Sequence, residues 1–385
     1  MLFASPFRPF FLMCALYAVV VMTGWLGLLF IGWPVGAGFS PLRWHAHEMI
    51  FGVTSAAIAG FVLTAMATWT DRPAIRGAHL AALLGLWLAA RLAMWSGSLL
   101  SPLLIAALDT GFLAVLTVTV ASTLLAAGSR RNYPVVAVLA ALTCAAGASH
   151  VGMWQASAVM ARTGEQAGLY LVLLLIGLIG GRITPAFSAN WLARRGLDRN
   201  LVRSWPVLDI AALSAIGITA ALDLAGVGMA SGAALAAAAL NGLRLVAWSG
   251  WRCWREPLLW SLHLGYAWLV AALLLRGLAP FSSQLNEAAW LHAAGVGAMG
   301  TMLLAVMTRV PLGHTGRALR LSDGAVLIYG LITAAAALRV GSAVGWVDYR
   351  WALAAAGTAW MFAFVLYLAF YAWILLVPRS DGHPG

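Results

Sequence analysis

Lysine is missing altogether from these 385 residues: all 23 basic side chains are arginine, and only 9% of the chain is charged. Soluble globular proteins carry roughly 25% charged residues, so this chain lacks the polar side chains needed to cover a surface facing water. Cysteine is also scarce. Cys14, Cys144 and Cys253 form no CxxC pair, which gives no support for a disulfide framework or a zinc ribbon. Long polar segments are absent too, and no connection between apolar runs is long enough for a soluble domain. What is abundant is apolar: 63% of residues are hydrophobic and the mean hydropathy is +0.90. The outer solvent of such a fold is mostly lipid, and the chain reads as an all-α polytopic membrane protein.

A bilayer core about 30 Å thick needs about 20 apolar residues per helix. Twelve runs of that kind, bounded by Arg, Pro, Asp or Asn, fall at residues 10–31, 45–68, 78–96, 103–127, 134–160, 166–184, 206–223, 226–249, 257–279, 288–309, 323–341 and 350–377. The first is too long for a signal-peptide core, and Gly32-Trp33-Pro34 offers no small-residue cleavage site, so it is read as a true helix. No internal repeat is evident, and residues 1–385 are read as one transmembrane domain. Arginines alternate between connections. Arg8, Arg72, Arg76, Arg130, Arg131, Arg194, Arg195, Arg199, Arg203, Arg252, Arg255, Arg317, Arg320 and Arg379 fall on one side, against Arg43, Arg162, Arg276 and Arg350 on the other. The positive-inside rule then puts both termini in the cytoplasm. It also disposes of nucleic acid as a partner for the net charge of +11, since the charge sits in short loops. Most of the 19 Trp residues lie near helix ends and read as an aromatic belt.

Ionisable groups inside a bilayer are costly, so intramembrane His, Asp and Arg are where function is sought. His45 and His47 open the second helix at its outer end. His292 lies about 6 Å, and His150 roughly 15 Å, below the outer surface at 1.5 Å per residue. In Trp44-His45-Ala46-His47-Glu48 the two imidazoles point about 200° apart on a regular helix. Both would clasp one copper or iron ion only if the helix start were unwound, with Glu48 as a further ligand or as the acceptor that orients a ring. The alternatives are one metal per histidine and a pair of wetted interfacial residues. His150 and His292 read either as neutral, hydrogen-bonded imidazoles or as metal ligands. A pair from facing helices is how a bundle holds haem, and the small-residue face from Ala293 to Gly300 suits either a flat ligand or tight helix packing. Met299 reads as core filler or as an axial thioether. Asp109 and Arg91 read as a mutual ion pair, with Asp109 otherwise orienting a liganding His or forming part of a proton path.

On the inner side, Gly180-Gly181-Arg182-Ile183-Thr184-Pro185 and Asn190 close the sixth helix. Arg309 and the turn Gly313-His314-Thr315-Gly316-Arg317 follow the tenth, and His79 and His263 share that depth. Such a set suits haem propionates, a quinol headgroup or an anion. Its alternative is topological, because Arg at an inner helix end needs no function.

Several of these stretches resemble the NnrS family. They are Pro6-Phe7-Arg8-Pro9-Phe10-Phe11, His45-Ala46-His47-Glu48-Met49, Gly181-Arg182-Ile183-Thr184-Pro185, and the block from Leu291-His292 through Met307-Thr308-Arg309 to Leu312-Gly313-His314-Thr315-Gly316-Arg317. The resemblance implies a twelve-helix bacterial inner-membrane protein that binds haem b and copper and serves nitric oxide metabolism and nitrosative stress in denitrifying and related bacteria. It implies His45, His47, His150, His263, His292 and His314 as the family's histidines, with no family place for His79 or His383. Together with the residues above, His150, His292, His263, His314, Arg182, Arg309 and Arg317 are candidates for cofactor binding. His45, His47, Glu48, His150 and His292 are candidates for metal, and no catalytic residue is assigned. Twelve helices are also similar to the haem-copper oxidase subunit, but helices six and seven here lack its histidines. The leading expectation is nitric oxide chemistry with quinol as electron donor. The alternatives are a sensor or protector that binds nitric oxide without turnover, and a proton or metal transporter.

Overall fold

The computed structural model describes residues 1–36, 39–97 and 99–382, so His383 lies outside the described residues. Among them the regular structure is helical throughout. We number the long helices α1 Phe7–Ile31, α2 Pro41–Thr70, α3 Ala78–Trp95, α4 Pro102–Ala126, α5 Tyr133–Trp154, α6 Ala158–Arg194, α7 Pro206–Leu224, α8 Ala230–Ala247, α9 Pro257–Leu278, α10 Glu287–His314, α11 Leu327–Ala343 and α12 Tyr349–Leu376. All but α11 are long and apolar enough to cross a membrane, and α11 is a shorter apolar helix. The protein is therefore an all-α, multi-pass membrane protein. Its chain divides into two compact units. Unit one comprises Met1–Leu171, Val310–Ala318 and Tyr367–Gly385; unit two comprises Val172–Arg309 and Leu319–Leu366. The chain passes between them within α6, α10 and α12 and in the connection after α10.

Local chemistry sets the helix ends. Proline opens α2, α4, α7 and α9, where its missing N–H would have had no partner. The Ser101 and Asn286 side chains cap α4 and α10 by accepting the N–H of Leu104 and Ala288. Gly32 closes α1 in the left-handed region at φ 71°. Large apolar side chains such as Val20, Leu92, Leu103, Val118 and Ile210 remain exposed on the outside, as lipid contact requires. Tryptophan serves two roles. Trp33, Trp154, Trp205, Trp251, Trp346 and Trp373 are exposed near helix ends, whereas Trp44, Trp87, Trp248 and Trp360 are buried core.

Three helices depart from α geometry for part of their length. Wider π turns occupy Glu48–Val53 in α2, Ile176–Gly180 in α6 and Ala293–Gly300 in α10, and such turns release carbonyls from the i, i−4 ladder. In α6 the π turn stands just before Pro185, and the helix continues through that proline to Arg194 instead of closing at Thr184 as expected. Proline clashes with the carbonyl four residues back, and the widened segment relieves the ladder at that point. Likewise α10 runs through Pro311 to His314.

A second correction concerns Arg8. It is not a solvated topology charge before the first helix but lies inside α1 with no exposed surface. Its Nη1 donates to the carbonyls of Ile374, Leu375 and Val377, at 3.4, 3.0 and 2.6 Å, at the C-terminal end of α12. A cation there meets the negative end of the helix dipole.

Candidate metal centre

In unit one, five helices each send polar side chains to one buried point. Asp109 of α4 accepts from His47 Nε2 of α2 at 2.7 Å and from His150 Nε2 of α5 at 2.8 Å, both on Oδ2. Its other oxygen takes the Arg91 guanidinium of α3, which also donates to Glu48 of α2. Tyr17 of α1 donates to Glu48 and accepts from Trp95 Nε1 at 2.9 Å. Because a carboxylate oxygen only accepts, both imidazoles carry their proton on Nε2 in this arrangement. His47 Nδ1 is then an acceptor, and the Ser149 hydroxyl stands 3.2 Å from it as donor. His47, Glu48 and Asp109 are at most 1% exposed.

The local sequence explains the convergence. On the regular helix from Pro41 to His47, His45 and His47 diverge: His47 turns inward and His45 stacks on Trp25, with ring centroids 4.3 Å apart. The π turn that follows directs Glu48 toward Arg91 and frees the Gly52 carbonyl, which accepts from Trp87 Nε1 at 3.1 Å. Only glycine fits at 52, since a methyl group there would come within 2.7 Å of the Arg91 guanidinium. At formal charges, two carboxylates face one guanidinium while the imidazoles and Tyr17 are neutral. The cluster is one positive charge short, in a medium where unbalanced charge is costly. One ligand atom each from His47, Asp109 and His150 lies within 4.8 Å of the other two, so the three could hold a metal ion. Two imidazoles and a carboxylate are a donor set for a first-row transition ion.

Unit two holds a different buried cluster. Arg244 of α8 donates through Nε to Asp209 of α7 at 2.8 Å and through Nη1 to the Gly177 carbonyl at 3.2 Å, a group released by the π turn of α6. It also reaches Tyr266 of α9, whose hydroxyl donates to Asn241 Oδ1 at 2.6 Å. Elsewhere in this unit, His263 pairs through Nε2 with the Ser188 hydroxyl at 3.0 Å, and its buried Nδ1 makes no hydrogen bond among the described residues. Burial raises the pKa of the neighbouring Cys253 thiol, against the pull of Ser188 and with the Glu256 carboxylate adding to it, which disfavours the thiolate form needed for metal binding. His292 donates from Nδ1 to the Ala288 carbonyl at 2.7 Å and accepts at Nε2 from Arg339 of α11 at 3.2 Å.

The NnrS protein family matches residues 1–379 of the chain. The chain belongs to the NnrS family. Membership carries a role in nitric oxide metabolism or in the response to nitric oxide, and the family is associated with haem and copper. A search of curated proteins gives no match.

Within this NnrS chain the expected site residues separate into distinct settings. His47 and His150 meet at Asp109, and Glu48 joins the same network through Arg91. His45 is not brought to that point, because the helix start is regular and not unwound. His292 belongs to unit two, with Arg339 as its partner. His314 packs against Phe7 with ring centroids 5.8 Å apart, and Arg309 covers the Phe187 ring at 4.1 Å. Arg182 lies just past the π turn of α6, and Arg317 beyond Gly316, whose φ is 71°. His79 is exposed at the start of α3. The glycines of α10 receive aromatic side chains: a methyl group at Gly297 would lie 2.6 Å from Trp268, and one at Gly300 would lie 2.7 Å from Trp360. Met299 is buried.

The Asp109–Arg91 ion pair and the contact of Asp109 with a histidine were weighed as alternatives, and both occur. Sequence reasoning missed Tyr17, Ser149, and the whole of the Asp209–Arg244–Asn241–Tyr266 cluster. For Arg244 a signal existed, because a charged residue inside a 24-residue apolar run at 226–249 asks for a partner. Tyr17 and Ser149 carried none, since one Tyr or Ser on an apolar helix is ordinary packing.

Proposed function

We propose that this protein handles nitric oxide at a copper ion held by His47, Asp109 and His150, reducing it with electrons taken from quinol. The observation that supports this is the charge deficit of a buried cluster whose donor atoms already stand within 4.8 Å of one another. A cation removes the deficit, and imidazole with carboxylate suits copper. Copper there would supply one-electron chemistry toward a small apolar gas that reaches it through lipid. The chain's own residues do the rest. Ser149 fixes the orientation of the His47 ring, Arg91 holds Asp109 by its other oxygen, and the Tyr17–Glu48 pair stores a proton beside the site. Reduction of nitric oxide consumes protons, so a buried hydroxyl–carboxylate pair next to the reacting point has a use.

For haem, the residues offer one oriented donor. The Nδ1–H of His292 is tied to a carbonyl, which sets the basicity of Nε2, and Nε2 would ligate once the Arg339 guanidinium that donates to it turned away. Arg339 stands beside it as a partner for a propionate, and the space next to Gly295 is open. His292 and Arg339 would hold the group, and haem would supply a redox centre. The inner-membrane setting with both termini cytoplasmic follows from the arginine distribution and is part of the same proposal.

A second reading has its own observation. Both Nε2 protons already point at one carboxylate oxygen, so a proton could replace the metal and the cluster would then serve sensing or proton transfer without turnover. Metal analysis of protein purified from copper-replete cells, set beside His47→Ala and His150→Ala, separates the readings. Copper present in the wild type and lost in both variants, with nitric oxide consumed in the presence of a reduced quinol, is the expected result. Equal metal content in all three proteins would remove the site, and metal without consumption would leave a binding protein. Vesicle tests of the same chain, inserted in known orientation, would check the sidedness by protease access to the tail.

A further inference from the structure

Away from that centre, unit one carries a second cluster that the network around Asp109 does not use. Arg8 is completely buried. Its Nη1 is taken by the carbonyls ending α12, but its Nε and Nη2 make no hydrogen bond among the described residues. The guanidinium groups of Arg317 and Arg379 are near enough to act on it electrostatically. Arg317 Nη1 is likewise buried without a partner. The chain after α12 is strapped over the turn that follows α10. Arg379 Nη1 donates to the His314 carbonyl at 3.0 Å, and the Ser380 N–H and hydroxyl donate to the Thr315 carbonyl at 3.0 and 3.1 Å. Gly316, at φ 71°, leaves room for the Asp381 carboxylate, which a methyl group there would strike. The His314 ring closes the set against Phe7.

Formal charges again decide what this place asks for. The guanidinium groups of Arg317 and Arg379 act on that of Arg8, and the one carboxylate beside this set, Asp381, is already bound to Arg379 in a two-pronged pair at 2.9 and 2.6 Å. The dipole end of α12 offsets only part of the remaining charge. Buried guanidinium N–H groups without acceptors are expensive, and the geometry of an arginine fork matches a tetrahedral oxyanion. We infer that Arg8, Arg317 and Arg379 form a binding site for a phosphate group, which bridges the first helix to the turn after α10 and to the C-terminal strap. That chemistry comes from two sources, the headgroup phosphate of an anionic lipid or free phosphate.

The test uses the full chain. Its thermal unfolding midpoint is measured in dodecylmaltoside with rising inorganic phosphate, ionic strength held with chloride, and in nanodiscs of phosphatidylglycerol against nanodiscs of phosphatidylcholine. Stabilisation by phosphatidylglycerol alone identifies a lipid headgroup; stabilisation in the phosphate series identifies the free anion. Arg317→Gln and Arg379→Gln lie on partly exposed residues, and each should weaken the response about tenfold, the worth of one charge-assisted hydrogen bond. Arg8→Gln should abolish it; should that variant fail to fold, the other two decide. No response of the wild type to either source, or an undiminished response in both Arg317→Gln and Arg379→Gln, overturns the site.

Discussion

The buried clusters of the two units are built alike and differ in one respect. Each centres on an arginine, Arg91 or Arg244, paired with acid, and each stands beside a π turn whose freed carbonyl is claimed by a side chain. Each also places a glycine where any side chain would strike the guanidinium, Gly52 in one and Gly181 in the other. In unit two, Arg244 and Asp209 cancel, and Asn241 and Tyr266 fill the remaining valences. In unit one, Glu48 and Asp109 outnumber Arg91, and two imidazoles surround the excess carboxylate. A balanced cluster is a clasp between helices. An unbalanced one with imidazoles in reach has work left for a cation, and this difference, not depth or burial, separates a candidate centre from a structural knot.

The comparison can be broken by changing its charges. Arg91→Met leaves two carboxylates buried without a cation and should cost about 3–5 kcal/mol, read as loss of monodisperse protein in detergent. Adding Asp109→Asn should restore part of it; a variant as stable as the parent would mean that the cluster is not held together by charge. Cupric ion at about a hundredfold excess over its dissociation constant should stabilise the wild type by about 2.7 kcal/mol and do the same for Arg244→Met, with no effect on His150→Ala. Equal stabilisation of all three would erase the distinction between the units. Arg244→Met itself should cost about 1–3 kcal/mol, less than the change at Arg91, because the Asp209 side chain it abandons is 28% exposed. The smallest effect is expected for Asp209→Asn, at most about 1 kcal/mol, followed by thermal unfolding; a collapse of the fold there would show that the balanced cluster depends on its ion pair as much as the other does.

Much of the fold was legible because lipid imposes a simple rule. A helix must hide its backbone polar groups within itself and show apolar side chains outside, so run length alone places α3, α4 and α12 within about two residues of their observed ends. The rule fails where a helix continues past its apolar stretch. α6 reaches Arg194 through Pro185, and a run-length reading stops at Thr184 because nothing in the composition announces a π turn. Arg8 shows the same limit for charge. In a list of loop arginines it is indistinguishable from Arg72, and only the end of α12, more than 360 residues later, makes its burial intelligible.

For the site, the sequence supplied His47, His150, Asp109 and Arg91 as costly residues on the outer side, and their cost told where to look. It did not say which would meet. Period and spacing act along one helix, and they correctly set His45 and His47 on opposite sides. Partnership across helices depends on rotation and register of separate rods, which no local pattern encodes. By itself, then, the sequence determined an all-helical membrane protein and a short set of buried groups in need of partners, since hydropathy and the cost of buried charge are properties of residues. The tertiary structure decided that one cluster balances and the other does not, because net charge belongs to a set of neighbours and neighbours are chosen only when the helices pack.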